Sequence, residues 1–292
     1  MGAAGHFYCA GGCLPPALRF VLGLLLMIVF SACRASPASV GGGDESGKAA
    51  TLNVFAAASL TGAFGAIGEQ FESQHPGAAV VFNFVGSQQL AQQLADGAPA
   101  DVFASANWKQ MDAVIQNGRV LSGAAQTFAN NRLVVIYPKA NPAGLAQLAD
   151  LGHPGLKLAL AAKEVPVGQY ALDFLAKAAA DQAFGAAFRD EVIKNVVSYE
   201  SDVKAVLTKV VLGEADAGIV YRSDISRDSA AKVGQIEIPD ALNVIAHYPI
   251  AAVQDSANPD LARAFVEYVL SADGQVILAA YGFIPVTLGG EK

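Results

Sequence analysis

Short apolar runs alternate along the chain with longer segments whose apolar residues recur at helical spacing. The run at 51–57 is rich in β-forming residues, and the next segment, 61–74, places Phe64, Ile67 and Phe71 on one helix face. This pair of patterns predicts a strand followed by an amphipathic helix. Because the same order recurs to the end of the chain, we predict an α/β fold of sheets flanked by helices.

The other elements follow from the same periodicities and from the turn residues between them. Strands are predicted at 79–85, 100–104, 133–137, 156–161, 217–221, 235–238 and 244–253. Helices are predicted at 88–96, 108–115, 168–179, 184–195, 202–212, 259–271 and 274–281. Alternating strands and helices predict mostly parallel sheets with helices on both faces. Because about 240 ordered residues are more than one such sheet needs, we predict two lobes.

The longest apolar run lies near the N-terminus, from Phe20 to Phe30, and it follows Arg19. It is shorter than the ~20 residues that a helix needs to cross a bilayer. A basic start, a short apolar core and small residues at its end predict a secretory signal peptide over residues 1–32. The alternative is ordinary cleavage near Ala32 without any further modification.

Cys33 directly follows the small residues of the signal, and this arrangement resembles the lipobox of bacterial lipoproteins. The resemblance implies that cleavage leaves Cys33 as the first residue, with lipid on its thiol, although Phe30 stands where Leu is usual. Residues 33–50 are rich in Gly, Ser and Ala, which predicts a flexible tether. The other two cysteines, Cys9 and Cys13, leave with the signal, so the mature chain has no intramolecular disulfide.

Composition narrows the function classes. The chain has 26 acidic and 19 basic residues, a formal net charge of −7, and it therefore lacks the basic footprint of a nucleic-acid-binding protein. Only 15% of its residues are charged, against about 25% in an average soluble domain. With 53% hydrophobic residues, the chain can form a large core.

Small polar or apolar residues follow several strands, at the points where helices begin. Ser59 and Ser87 follow the first two strands, and two helices of the second half begin near Val167 and Val203. Helix starts carry free N–H groups and a partial positive charge, so four of them facing one cleft predict an anion site without a cation. Taken singly, the serines are ordinary helix caps, the valines are core residues, and Tyr221 is a buried ring.

Three segments together resemble the molybdate-binding proteins of bacterial ABC importers. They are Phe-Ala-Ala-Ala-Ser-Leu at 55–60, Gly-Ala-Pro-Ala-Asp-Val-Phe at 97–103 and Gly-Ile-Val-Tyr-Arg-Ser-Asp at 218–224. Pro285 after Tyr281-Gly282-Phe283 is also similar, and the resemblance covers about residues 50–285.

The resemblance implies the type II periplasmic-binding-protein fold, with the ligand in a cleft between two hinged lobes. Lobe 1 would consist of residues 51–131 and 246–292, and lobe 2 of residues 132–245. The chain would cross between the lobes near 130–132 and near 241–246.

The resemblance also assigns the oxyanion contacts. They would be hydroxyl and N–H groups of Ser59 and Ser87, backbone N–H groups of Val167 and Val203, and the hydroxyl of Tyr221. It implies a monomeric receptor for molybdate or tungstate that delivers its ligand to an ABC permease, with no catalytic residue and no cofactor.

The chain departs from the family pattern at two positions. Gly86 stands where Ser is frequent, and Val167 where Ala is frequent. A contact through the main chain of Val167 survives that exchange. Asp202, beside Val203, is expected to cap a helix rather than to touch an anion.

A site of donors alone suits molybdate, because the fully deprotonated dianion only accepts hydrogen bonds. Hydrogen phosphate carries a proton that would lack an acceptor, at a cost of about 1–3 kcal/mol. Sulfate is also acceptor-only and differs by size, and tungstate is nearly identical to molybdate. The site chemistry therefore leaves sulfate and tungstate receptors as alternatives.

Other classes remain as alternatives. A ferric-binding protein would need several tyrosine or carboxylate ligands, and His75, His153 and His247 show no metal-ligand spacing. An exported hydrolase would need Ser59 or Ser87 as nucleophile, with a histidine brought close by folding. An adhesive or sensory module would bind no oxyanion.

Overall fold

The structure is a computed structural model, and it describes residues 50–286 of the chain. The predicted signal peptide, the lipidation site at Cys33 and the tether up to residue 49 lie outside the described residues. Within the described residues, no helix combines the length and the apolar character that a membrane crossing requires.

The described residues form eleven strands, nine α-helices and three 3₁₀ helices. The strands are β1 Ala50–Ala57, β2 Ala78–Val85, β3 Val102–Ala104, β4 Gln126–Asn131, β5 Leu133–Pro138, β6 Leu158–Ala161, β7 Val196–Glu200, β8 Ala217–Tyr221, β9 Val233–Glu237, β10 Ala246–Ala252 and β11 Ile284–Pro285. The α-helices are α1 Thr61–Gln74, α2 Ser87–Ala95, α3 Trp108–Gln116, α4 Pro166–Ala180, α5 Phe188–Lys194, α6 Val203–Val211, α7 Arg227–Ala230, α8 Pro259–Leu270 and α9 Ala272–Ala280. The 3₁₀ helices are Ala58–Leu60, Leu148–Gly152 and Arg222–Asp224.

The strands form two sheets. The first sheet has six strands in the order β11-β4-β10-β3-β1-β2, and the second has five in the order β7-β6-β8-β5-β9. The chain passes from the first sheet to the second at Arg132, which alone separates β4 from β5. It returns between β9 and β10, over residues 238–245.

The predicted α/β class with two sheets flanked by helices is confirmed, but the expectation of mostly parallel sheets is wrong. Strand β1 pairs in parallel with β2 and β3, and β6 with β7 and β8. The five other described pairings are antiparallel: β10 with β3 and β4, β11 with β4, and β5 with β8 and β9. Strands β5 and β10 begin at the two crossings between the sheets, whereas β4 and β9 end there. Strands β5 and β10 therefore run against their neighbours.

The apolar face predicted for α1 is buried. Phe64, Ile67 and Phe71 are all fully inaccessible to solvent. The ring centroid of Phe64 lies 5.6 Å from that of Phe128, and that of Phe71 lies 5.2 Å from that of Phe265. Burial of each such ring contributes about 1.5–3 kcal/mol. This packing fixes α1 against the first sheet and thereby fixes the turn that precedes the helix.

Asp101, the last polar residue of the Gly-Ala-Pro-Ala-Asp motif, is a structural residue. It is buried, and its carboxylate accepts hydrogen bonds from the Asn53 N–H at 2.7 Å and from the Ser256 hydroxyl at 2.5 Å. Asp101 therefore ties the beginning of β3 to β1 and to the loop before α8. The motif supports the frame of the first sheet rather than contributing a side chain to the site described below.

Candidate anion-binding site

All five residues of the predicted oxyanion site line one small cavity. These are Ser59, Ser87, Val167, Val203 and Tyr221. The other lining residues are uncharged as well: Ala57, Ala58, Ala106, Val165 and Pro166. The cavity volume is about 10 Å³, close to the minimum that accommodates a single water molecule. The cavity is thus compact and has no charged side chain in its wall.

Four helix starts meet at this cavity. Ser59 lies in the 3₁₀ helix that leads into α1, Ser87 is the first residue of α2, and Val167 and Val203 stand in the first turns of α4 and α6. The first N–H groups of a helix have no partner within the helix. No side-chain cap satisfies them at α1, α2 or α4. The cavity therefore lies where backbone donors and positive helix ends converge.

Helix α6 differs because it has a side-chain cap. The Asp202 carboxylate accepts a hydrogen bond from the Ala205 N–H at 3.0 Å, which confirms the expected capping role. The cap takes the third N–H of the helix and does not engage the first, on Val203. Asp202 does not line the cavity.

Ser87 is not a helix cap. Its oxygen accepts a hydrogen bond from the Ala106 N–H at 3.0 Å, and the residue is buried. Since that oxygen is engaged as an acceptor, its hydroxyl proton remains for another partner. Ala106 lines the same cavity, and it was not among the predicted residues.

Ser59 is held by a residue that the sequence did not indicate. Its Oγ lies 3.0 Å from the Oη of Tyr248, a fully buried residue in β10. The two residues are 189 positions apart, so no local pattern joins them. The only sequence signal was the placement of Tyr248 in a predicted strand.

The Tyr221 hydroxyl is a buried polar atom of the cavity wall that lacks a partner within the described residues. Its Oη forms no hydrogen bond within residues 50–286, although the residue is only 1% exposed. Buried polar atoms are almost always hydrogen-bonded. Burial, followed by the nearby Tyr248, Tyr170 and Asp224, raises the pKa of Tyr221 well above its usual value. The hydroxyl therefore keeps its proton and can donate it to an acceptor in the cavity.

A buried ion pair lies behind Tyr221. Asp224 accepts a hydrogen bond from the Tyr221 N–H at 3.1 Å, and Lys204 Nζ lies 2.9 Å from the other carboxylate oxygen. Burial raises the pKa of Asp224, whereas the Lys204 charge lowers it. The lysine compensates the carboxylate, and neither side chain lines the cavity.

A close backbone approach positions the start of α4. A Cβ atom on Gly168 would lie 2.1 Å from the Ala162 carbonyl oxygen and 2.5 Å from that of Ala161. No side chain fits at these distances, so only glycine lets α4 begin directly against the end of β6. The position of the Val167 N–H at the cavity depends on this contact.

Elements of the two sheets also touch beside the cavity. Gln88 Nε2 donates to the Ser201 carbonyl oxygen at 2.9 Å, and Gln110 Nε2 to that of Glu164 at 3.4 Å. A Cβ atom on Gly86 would lie 2.7 Å from the same Ser201 oxygen. The departure from Ser to Gly at position 86 therefore leaves room for this close contact.

The histidines contribute nothing to the cavity. His75, His153 and His247 lie apart, next to Phe71, Asp150 and Asn130 respectively. Across the described range, no group of three His, Cys, Asp or Glu residues has the arrangement of a metal site. The carboxylate and tyrosine cluster that a ferric site needs is not formed at this cavity, where Tyr221 is the one phenol in the wall.

The chain belongs to the family of bacterial extracellular solute-binding proteins, whose family model matches residues 52–284. The molybdate-binding protein ModA of Mycobacterium tuberculosis (strain H37Rv) is 43% identical over 248 residues, which cover 85% of this chain and 89% of that protein.

Two solved structures share the fold. The periplasmic molybdate-binding protein of Azotobacter vinelandii has a TM-score of 0.70 at 22% identity, covering 81% of this chain and 100% of its own. The sulfate-binding protein SubI of M. tuberculosis H37Rv has a TM-score of 0.73 at 20% identity, covering 82% and 88%. At these identities the likeness concerns the fold alone, so the structures do not separate molybdate from sulfate.

Proposed function

We propose that this protein is an exported receptor that captures molybdate between its two sheets and delivers the anion to an ABC permease. The observation that carries the proposal is a buried, uncharged cavity lined by hydroxyl groups and helix starts. The 43% identity to a protein named molybdate-binding favours molybdate among the tetrahedral oxyanions.

The chemistry of the cavity suits a dianion with four accepting oxygens. Ser59, Ser87 and Tyr221 offer hydroxyl protons, and Val167 and Val203 offer backbone N–H groups at positive helix ends. These donors replace the hydration that the anion loses on burial. No wall residue offers a carboxylate to accept a proton, so hydrogen phosphate is disfavoured by about 1–3 kcal/mol.

Binding requires the two sheets to separate and close. We assign one lobe to residues 51–131 and 246–292, and the other to residues 132–245, with the hinge at the two chain crossings. The amides of Gln88 and Gln110, which reach from one lobe to the other, stabilise the closed form. In this proposal the protein acts as a monomer.

The hydrogen-bonding partners of Ser59 and Ser87 support a binding role for these residues rather than a role as catalytic nucleophiles. Ser59 is paired with Tyr248, and Ser87 accepts from the Ala106 N–H, so neither hydroxyl contacts a histidine base. The relative with 43% identity is named as a binding protein. No cofactor is needed for this function.

Calorimetry with molybdate, tungstate, sulfate and phosphate tests the ligand assignment. We expect tight binding of molybdate and tungstate, weaker binding of sulfate and the weakest, but still measurable, binding of phosphate. Sulfate binding as tight as molybdate binding would support the sulfate-receptor alternative. Failure to bind any oxyanion would support an adhesive or sensory module.

Mass spectrometry of the membrane fraction tests the anchor. Cleavage before Cys33 with lipid on its thiol gives a diacylglyceryl adduct on the N-terminal peptide. An unmodified soluble chain that starts near Cys33 would contradict the anchor and leave the ligand assignment untouched.

A further inference from the structure

The hydroxyl group of Ser59 is held in one hydrogen-bonding direction by two residues that lie behind the cavity. We infer that Asn131 and Tyr248 are positioning residues which orient the Ser59 hydroxyl as a donor to the anion and take up one of the two acceptor positions on its oxygen. This inference rests on the proposed oxyanion function. Neither Asn131 nor Tyr248 lines the cavity.

The first group that sets the hydrogen-bonding direction is the Arg132 N–H, at the point where the chain leaves the first sheet. The Asn131 Oδ1 accepts a hydrogen bond from the Arg132 N–H at 2.9 Å. Because a backbone N–H can only donate, this contact identifies the oxygen side of the amide. The Nδ2 side then donates to the Ser223 hydroxyl at 2.7 Å and faces the Tyr248 hydroxyl at 3.5 Å.

The next step is the phenol of Tyr248. In the described chain its Oη has two hydrogen-bonding partners, the Asn131 Nδ2 and the Ser59 hydroxyl. The Nδ2 group can only donate. The Tyr221 hydroxyl lies close enough to Tyr248 to raise the pKa of Tyr221, but the two hydroxyls do not meet in the distance and angle of a hydrogen bond. Burial and the charge of Asp224 raise the pKa of Tyr248 well above its usual value, so the phenol keeps its proton. That proton has Ser59 Oγ as its acceptor.

The last step is Ser59 itself. With Tyr248 as the donor at 3.0 Å, the Ser59 proton is left for another acceptor, and Ser59 lines the cavity. The reverse direction would leave the Tyr248 proton buried without an acceptor, which is unfavourable. The chain of groups thus runs from the Arg132 backbone through Asn131 and Tyr248 to Ser59.

Ser87 reaches the same state by a shorter route. Its oxygen accepts directly from the Ala106 backbone N–H at 3.0 Å, and a backbone N–H cannot reverse. Both serines are therefore donors towards the cavity, but only Ser59 depends on other side chains for its direction. At each serine a protonated oxyanion meets a hydroxyl whose proton is turned towards it and whose oxygen already accepts one hydrogen bond. Asn131 and Tyr248 thereby contribute to selectivity against a protonated oxyanion.

Replacing the phenol tests this inference. In Tyr248→Phe, Ser59 loses the donor that fixes its orientation, so its hydroxyl can turn and present its oxygen to hydrogen phosphate. We expect molybdate affinity to fall about 3–10-fold and the ratio of the phosphate Kd to the molybdate Kd to fall about tenfold or more, measured by calorimetry at pH 7. A general structural defect would weaken both ligands together and leave the ratio unchanged.

A double-mutant cycle shows whether Tyr248 acts through Ser59. In a Ser59→Ala background, Tyr248→Phe should cause no further loss of molybdate affinity. Asn131→Asp replaces the donor with an acceptor that draws the phenol proton away from Ser59. Its loss of affinity should exceed that of Tyr248→Phe in both backgrounds, because the new buried carboxylate also repels the anion. Equal losses from Tyr248→Phe with and without Ser59 would overturn the inference.

Tyr170→Phe is the matched control. This ring lies in the same aromatic cluster, with its centroid 6.4 Å from that of Tyr221, but its hydroxyl is not part of the chain of groups. We expect molybdate affinity and the phosphate ratio to stay within about twofold of the wild type. If the wild-type protein binds no molybdate, the proposed function fails. If it binds molybdate but Tyr248→Phe leaves the phosphate ratio unchanged, only the present inference fails.

Discussion

The two sides of the cavity offer hydrogen-bond donors of different kinds. The first-sheet side contributes the serine hydroxyls of Ser59 and Ser87, and each oxygen is engaged by another group of the protein. The second-sheet side contributes Val167 and Val203 at helix starts, and the hydroxyl of Tyr221, which has no partner in the described chain. Supporting contacts orient the two serine hydroxyls of the first side, whereas the course of the backbone orients the N–H groups of Val167 and Val203 on the second.

Because of this difference, the two sides lose their donors through different changes. A hydroxyl rotates, so its direction changes when a supporting group is removed. A backbone N–H does not rotate, so it is lost only when the helix moves, whatever the side chain at that position. The presence of Val at position 167, where Ala is frequent in the family, therefore removes no donor.

The largest expected effect comes from moving a helix start. In Gly168→Ala, the new Cβ would lie 2.1 Å from the Ala162 carbonyl oxygen, so the start of α4 must shift and carry the Val167 N–H with it. We expect molybdate affinity to fall at least about 100-fold and the free energy of unfolding to fall by about 1–3 kcal/mol. Calorimetry and thermal unfolding measure the two effects.

Gly65→Ala is the control for Gly168→Ala. It also lies in a helix, but a Cβ atom there would meet nothing within 4 Å. The free energy of unfolding should rise by up to about 1 kcal/mol, with unchanged affinity. Wild-type affinity in Gly168→Ala would refute the dependence of the second side on this close approach.

The second-largest effect is expected from Ser87→Ala, which removes a donor of the first side. It removes one donor and leaves the Ala106 N–H buried without an acceptor. We expect about tenfold weaker molybdate binding and a loss of about 1–3 kcal/mol in the free energy of unfolding. Val167→Ala is the counterpart on the second side, since it loses buried methyl groups and keeps the backbone donor. If Val167→Ala weakens binding as much as Ser87→Ala, the distinction between the sides is wrong.

Tyr221→Phe should affect binding but not folding. It removes a hydroxyl that has no partner in the described structure, so the ligand-free protein loses no hydrogen bond. We expect about tenfold weaker binding, with an unfolding free energy equal to the wild type or higher by about 1 kcal/mol. Urea unfolding without ligand, compared with calorimetry, checks both signs. A clear loss of stability would mean that the hydroxyl is satisfied inside the protein.

The smallest expected effect is that of pH. Burial raises the pKa of Tyr221 well above 10, so its donor proton is lost only when the pH rises past that value. No histidine, lysine or carboxylate lines the cavity. The molybdate Kd should therefore stay within about twofold between pH 7 and pH 9. Tenfold weakening by pH 9 would show that a titrating group belongs to the site.

Local patterns were enough to predict most elements, including α1 and the serines at strand ends. They failed for β4 and β7. Strand β4, Gln-Thr-Phe-Ala-Asn-Asn, lacks an apolar run and is held by pairing with β10 and β11. Strand β7 lies at a sheet edge with Val197 and Tyr199 exposed, so its pattern does not follow burial.

The supporting contacts of the site could not be predicted either. Two of these contacts are the hydrogen bond of Ser59 to Tyr248 and that of Ser87 to Ala106. They depend on the order of the strands in the first sheet, which a short stretch of sequence does not determine. The five residues that line the cavity could be named from the sequence because the family resemblance assigned them, and their contact with an anion stays a prediction. What holds the donors in place required the fold.

The small volume of the cavity has a kinetic consequence. The five predicted contact residues are each at most 3% exposed, and they line a space of only about 10 Å³. In the proposed two-lobed receptor, an anion held by these residues would leave when the lobes part, so the opening frequency would set an upper limit on the dissociation rate. Such motions typically take microseconds to milliseconds. The residence time of the ligand is therefore governed by the hinge as well as by the strength of the contacts.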